Sequence, residues 1–320
     1  MSENKRVNRV FLITILLYVG TSLGMSLLAP YIPALAGMSN YASIFLSQAL
    51  IFLPGFLYCK RKETGIREFL PYRKINIASV VLVIICTYLM YPLIIVLNAI
   101  SMIFTTSGST AVMDMMQGQS FILSLLFTAA LPACVEEFIF RGVLFQTYKK
   151  SRMFPAILLS GFLFGCAHMN LNQFVYAFAL GIYLAFLVEA TGSIFSSMVA
   201  HFTLNATSVA MTFFLPILYG QLGIEQEMSV QAGGFAANME NSELLLFLMG
   251  ITIWGIIAVG TTCAAVGIYI AICKINHRWD YVKHMFSGGT REKIITVPVI
   301  LAILVSFAMM GMHIYLERAV

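Results

Sequence analysis

Apolar residues run through this chain in long blocks, at about 10–29, 41–59, 76–99, 120–147, 153–168, 172–188, 194–219, 244–273 and 294–315, with short polar segments between them. An α-helix rises ~1.5 Å per residue, so about 20 residues cross the ~30 Å hydrocarbon core of a bilayer. Most of the blocks are that long; 153–168 is short for a full crossing, and 244–273 is long enough to tilt. A segment inside lipid must satisfy its own backbone hydrogen bonds, and a helix does so within itself. The pattern predicts an all-α fold, a polytopic transmembrane helical bundle of about eight or nine spans, forming a single membrane domain over 1–320. No repeat or soluble insert interrupts it, and the longest polar stretch, 220–243, is expected to be a loop.

Composition agrees. Hydrophobic residues make up 60% of the chain and charged residues 10%, against about 25% charged in soluble domains, which excludes a water-facing globule. The formal charge of +5 is informative by position and is no sign of nucleic acid. Lys60, Arg61, Lys62, Arg67, Arg73 and Lys74 crowd one loop, Lys149, Lys150 and Arg152 another, and Lys274, Arg278, Lys283, Arg291 and Lys293 a third. The alternate loops near 31–40, 100–118, 169–171 and 220–243 contain no lysine or arginine. By the positive-inside rule this is a multi-pass cell-membrane protein with a cytosolic N-terminus; nine crossings put the C-terminus outside, eight return it. Ala34-Leu35-Ala36 resembles a signal-peptidase site. The apolar run before it, Val10 to Ala29, exceeds a signal h-region of roughly 7–15 residues, so a retained first helix is expected. The six cysteines form no CxxC pair and are expected to be packing residues with free thiols. The last four residues, Glu317 to Val320, hold no lipidation cysteine.

Ionisable groups inside lipid are costly and mark function. Here they cluster: Glu136, Glu137 and Arg141 in the fourth block, His168 closing the fifth, His201 and Asn205 in the seventh. Consecutive helical residues are turned by about 100°, so Glu136 and Glu137 face different ways. Glu137 and Arg141 are i and i+4 with the acid first, the favourable order for an ion pair, and the structural reading of that pair is preferred. Glu136 is then left among apolar residues without a counter-charge, where a carboxylate is a better proton acceptor. Pro132 has no N–H for the carbonyl of Thr128 and is expected to bend the helix. His201 and Asn205, also i and i+4, converge on one side as donors for a developing oxyanion. The small residues Gly165, Cys166 and Ala167 before His168 permit close helix approach. At ~1.5 Å per residue the four candidate groups fall at depths from ~12 to ~24 Å, a spread that tilt and the proline bend can absorb. Either histidine alone is more readily an interhelical hydrogen-bonding residue; with Glu136 the set favours catalysis. Glu189 is expected to be solvated at the interface, and His277, His284 and His313 fall outside the cluster.

Glu136-Glu137-Phe138-Ile139-Phe140-Arg141-Gly142, Phe164 to His168, and His201 to Asn205 give EExxxR-G, FxxxH and HxxxN in order on successive helices. In this the chain resembles the CAAX protease and bacteriocin-processing (CPBP, or Abi) family of intramembrane glutamic endopeptidases, over about 128–208, with a catalytic core expected at 120–213. The resemblance implies that Glu136 activates water with help from His168, that His201 and Asn205 stabilise the oxyanion, and that Glu137 and Arg141 hold the architecture. It implies no cofactor. The runner-up is zinc, for which one glutamate and two histidines could be three ligands with an open fourth position; no HExxH is present. The expected partners are a peptide or membrane-protein substrate, whether prenylated and CAAX-like or bacteriocin-type, and the lipid bilayer. A proton-coupled carrier or a non-catalytic immunity protein are the alternatives; the carrier lacks the internal repeat such proteins are built on.

Overall fold

A computed structural model describes residues 2–62, 65–105, 116, 118–222, 239–286, 289–290 and 292–319. Among them there is no strand. Nine principal helices follow the nine apolar blocks: α1 (Glu3–Leu28), α2 (Asn40–Lys60), α3 (Ile77–Ser101), α4 (Phe121–Tyr148), α5 (Met153–Ala167), α6 (Leu171–Thr191), α7 (Ile194–Leu222), α8 (Asn241–Ile275) and α9 (Val297–Ala319). Eight are long and apolar enough to cross a membrane, and α5 is the short ninth, as its block length suggests. Most of the expected loops near 100–118 and 220–243 lies outside the described residues.

Local chemistry sets the helix starts. Ser2, Ser39, Asn76 and Asn170 each accept a backbone N–H three residues on, from Lys5, Ala42, Ser79 and Gln173, which satisfies donors that the first turn leaves orphaned. α6 ends at Gly192, whose φ of +70° is the left-handed conformation that closes a helix cheaply only at glycine.

α4 runs through the interior, touched by α1, α2, α5, α6 and α7, whereas α8 lies at the edge against α3. α5 and α6 form a tight antiparallel pair. A Cβ on Gly181 would sit 2.6 Å from Cα of Gly161, and one on Gly165 would sit 2.9 Å from the Phe174 ring, so only glycine allows these backbones to meet.

The lysine- and arginine-rich end is tied together by side chains. Asn4 donates to Ser151, Tyr148 donates to Asn8, and Lys62 and Lys150 both pair with Glu3. Glu189 departs from expectation here. It is buried, its two oxygens paired to Lys149 at 2.8 Å and Arg278 at 3.2 Å, and Arg278 also donates to its carbonyl at 2.5 Å. Its place at a span end suggested solvation; the return of the chain after α8 brings Arg278 over it. Arg291 and the Arg67 side chain lie outside the described residues.

Candidate active site

α4 is not a uniform α-helix. It carries a wide, π-helical turn at Leu125–Ala130, just before Pro132, and a second at Phe138–Leu144, just after the two glutamates. Proline lacks the N–H that a regular ladder needs, and a widened turn accommodates the loss. The carbonyls that the irregular turns release find other donors. Asn205 Nδ2 reaches the Thr128 carbonyl at 3.3 Å, Gln146 Nε2 reaches that of Arg141 at 3.0 Å, and the Ser160 hydroxyl that of Phe140 at 3.0 Å. The carbonyl that Pro132 leaves without a donor therefore anchors Asn205, whose second amide hydrogen has no partner among the described residues.

The two adjacent glutamates have different surroundings. Glu137 and Arg141 are both fully buried, joined at 2.9 Å between Oε1 and Nη1. The same oxygen accepts from Nδ1 of His201 at 3.0 Å. Glu136 has 13% of its side chain exposed, and it faces a cavity. Its Oε1 accepts from the amide of Gln48 at 2.9 Å, and its Oε2 lies 3.9 Å from Nε2 of His201, beyond hydrogen-bond length. Glu136 is thus not without a partner, as the sequence suggested, but the partner is neutral and occupies one oxygen. Gln48 went unnoticed in the sequence, although it is the one amide in the second apolar block.

The histidines take their tautomers from these contacts. A carboxylate or carbonyl oxygen can only accept, so His201 carries its proton on Nδ1 toward Glu137, and His168 carries its own on Nδ1 toward the Phe164 carbonyl at 2.9 Å. In each neutral ring Nε2 is then the basic nitrogen. His201 offers an N–H to the cavity only as an imidazolium. Phe164 organises both rings, meeting His168 edge-on at 4.9 Å and His201 at 5.8 Å between centroids, while the Arg141 guanidinium lies 4.4 Å over its face.

Glu136, His168, His201 and Asn205 all line one cavity of about 500 Å³. Gln48, Gln173 and Tyr176 add polar groups to its wall, and Ile44, Leu180 and Leu215 apolar ones. Four groups spaced over 70 residues of sequence are brought together, and Glu137 and Arg141 support them from behind. Among the described residues no hydrogen bond or ion pair joins His168 to Glu136; the histidine nearest that carboxylate is His201. No group of three or more His, Cys, Asp or Glu side chains among them is arranged to hold a metal ion. The six cysteines are free thiols, with Cys134 and Cys263 exposed and the other four buried.

Comparison with known proteins points the same way. Residues 118–207 match the family model described as type II CAAX prenyl endopeptidase Rce1-like. A Bacillus subtilis (strain 168) protein named "Putative membrane peptidase YdiL" is 30% identical over 107 residues, which cover 33% of this chain and 43% of that protein. The chain thus spans less than half the length of this relative. No solved structure matches.

Proposed function

We propose that this chain, which carries a CAAX-protease family core at 118–207, is an intramembrane endopeptidase with Glu136 as its general base. The observation that carries the reading is the split between the two glutamates. One carboxylate is fully buried and charge-paired through Oε1 to Arg141 and His201, while its neighbour keeps an oxygen facing a cavity that also holds two histidines and an amide.

The chemistry follows from that arrangement. Glu136 Oε2 takes a proton from a water as the water oxygen bonds to the scissile carbonyl carbon, and Nε2 of His168 accepts a hydrogen bond from the O–H that the water keeps. The oxyanion that forms meets the spare amide hydrogen of Asn205 and, once the ring has taken up a proton from water in the cavity, the Nε2–H of His201. The C–N bond then breaks, and the proton on Glu136 passes to the leaving amine. General-base catalysis contributes about 10²–10⁴-fold, and each oxyanion donor about 10²–10³-fold.

The substrate in this reading is a membrane-associated peptide or protein, prenylated and CAAX-like or bacteriocin-type. Catalysis is metal-independent, residues 120–213 form the core of one domain spanning 1–320, and the basic loops and the N-terminus face the cytosol. The test uses the full chain in liposomes with two quenched peptides, one farnesylated at a CAAX terminus and one an unmodified membrane-spanning segment. Glu136→Gln and His168→Ala are each expected to lower kcat at least ~100-fold. Full activity in Glu136→Gln overturns the mechanism. Activity lost on chelation and restored by zinc replaces it with the zinc-dependent one.

A further inference from the structure

The proposed mechanism needs one oxygen of Glu136 held and the other left for the proton, and the residue that does this lies outside the matched segment, on α2. We propose that Gln48 is a positioning residue for the hydrolytic step: its amide anchors Glu136 Oε1 and so assigns the base function to Oε2. This inference rests on the reading of Glu136 as the base.

Three observations carry it. The contact is a hydrogen bond of 2.9 Å from Gln48 Nε2 to Glu136 Oε1, while Oε2 is the oxygen that faces His201. A carboxylate with one oxygen pinned presents the other in a fixed direction, and general-base catalysis depends on that direction.

The second observation is register. Gln48, Phe52 and Gly55 stand at i, i+4 and i+7 on one face of α2. Phe52 packs on Phe138 with centroids 5.0 Å apart and ring planes tilted by 44°, and a Cβ on Gly55 would lie 2.2 Å from Cδ1 of Ile139. These two contacts seat α2 on α4 closely enough to fix where the Gln48 amide falls. Packing alone would be served as well by an apolar side chain there.

The third observation is cost. Gln48 is 7% exposed, and its own Oε1 is buried without a hydrogen-bond partner. A buried amide that satisfies only one end is a net burden on a membrane helix, where methionine of similar length would bury no unmet amide of its own. The amide earns its place through the contact with Glu136.

The experiment compares Gln48→Met with wild type, using whichever of the two quenched peptides the wild-type chain cleaves. The expected result is a kcat lowered about 10- to 100-fold, with KM within about twofold and a melting temperature no lower than wild type. A substrate-independent measurement accompanies it: the carboxylate infrared band that disappears in Glu136→Gln is expected to shift in Gln48→Met. If Gln48→Met does not accumulate, Gln48→Glu keeps the length and places a second acid against Glu136, with the same expected loss of kcat. An unchanged kcat and an unmoved band, in a Gln48 variant whose Glu136→Gln counterpart is inactive, overturn the role of Gln48 alone. A rise in KM with kcat unchanged also overturns it, because Gln48 would then be contacting substrate. Full activity in Glu136→Gln overturns Gln48 and the base together.

Discussion

Two clusters of buried acid and base stand at different heights in this bundle, and they are built on different terms. At the basic end Glu189 is enclosed by Lys149 and Arg278, with both carboxylate oxygens taken by cations. In mid-bundle, Glu137 is fully buried with Arg141 and His201 both on its Oε1, but Glu136 beside it has only a neutral amide on one oxygen and faces a cavity. The first cluster is closed, and its work is to tie the α6–α7 turn to the segment after α8. The second is closed on one side and open on the other. Buried charge with every partner in place is architecture; buried charge with one position left over toward a cavity is where chemistry can occur.

The comparison can be broken most severely at Arg141. Replacing it with alanine strands the fully buried Glu137 carboxylate, a loss of about 3–5 kcal/mol. The expected outcome is low folded yield and a depressed melting temperature in detergent. A well-folded Arg141→Ala protein with no activity would instead move Arg141 from the support of the site into its chemistry.

A smaller loss is expected at Gly181, where an added Cβ would meet Gly161 Cα at 2.6 Å and Arg141 Nη2 at 3.2 Å. Backbone resists displacement more than a side chain end, so Gly181→Ala should cost about 1–3 kcal/mol. Because α5 carries Phe164 and is capped by His168, part of the activity should go with it. Wild-type melting and turnover in this variant would show that the α5–α6 contact is not what orients the histidine.

The smallest effect sharpens the contrast between the clusters. Lys149 and Arg278 keep 23% and 22% of their side chains exposed, so water can take over when Glu189→Gln removes the charge between them. A cost of about 1 kcal/mol is expected, with kcat unchanged in the liposome assay. A large fall in kcat would show that the two clusters are coupled.

Much of the site was legible. The i, i+4 spacing of Glu137 and Arg141 is enough to bring them together on any helix, and the structure has them at 2.9 Å. The consequence of Pro132 for the Thr128 carbonyl was also visible, but that Asn205 supplies the missing donor was not, since it lies on another helix. The link between Glu137 and His201 escaped for the same reason, as did Gln48. Each had a signal, an amide or imidazole in an apolar block, but a signal of that kind does not name its partner. Glu189 went the other way: an acid at the end of a span suggests water until a distant arginine is folded over it.

By itself the sequence determined where the long helices lie, to within one crossing, because lipid demands apolar runs of fixed length and internal backbone bonding, both of which are local. It determined as well the contacts made within a single helix, since 3.6 residues per turn is a property of the backbone. Only the tertiary structure decided which oxygen of Glu136 is held and which is left open, and which histidine stands nearest to it. Those outcomes depend on how α2, α5 and α7 lean against a helix widened at two turns, and interhelical register is set by packing at glycines and aromatic rings far apart in the chain.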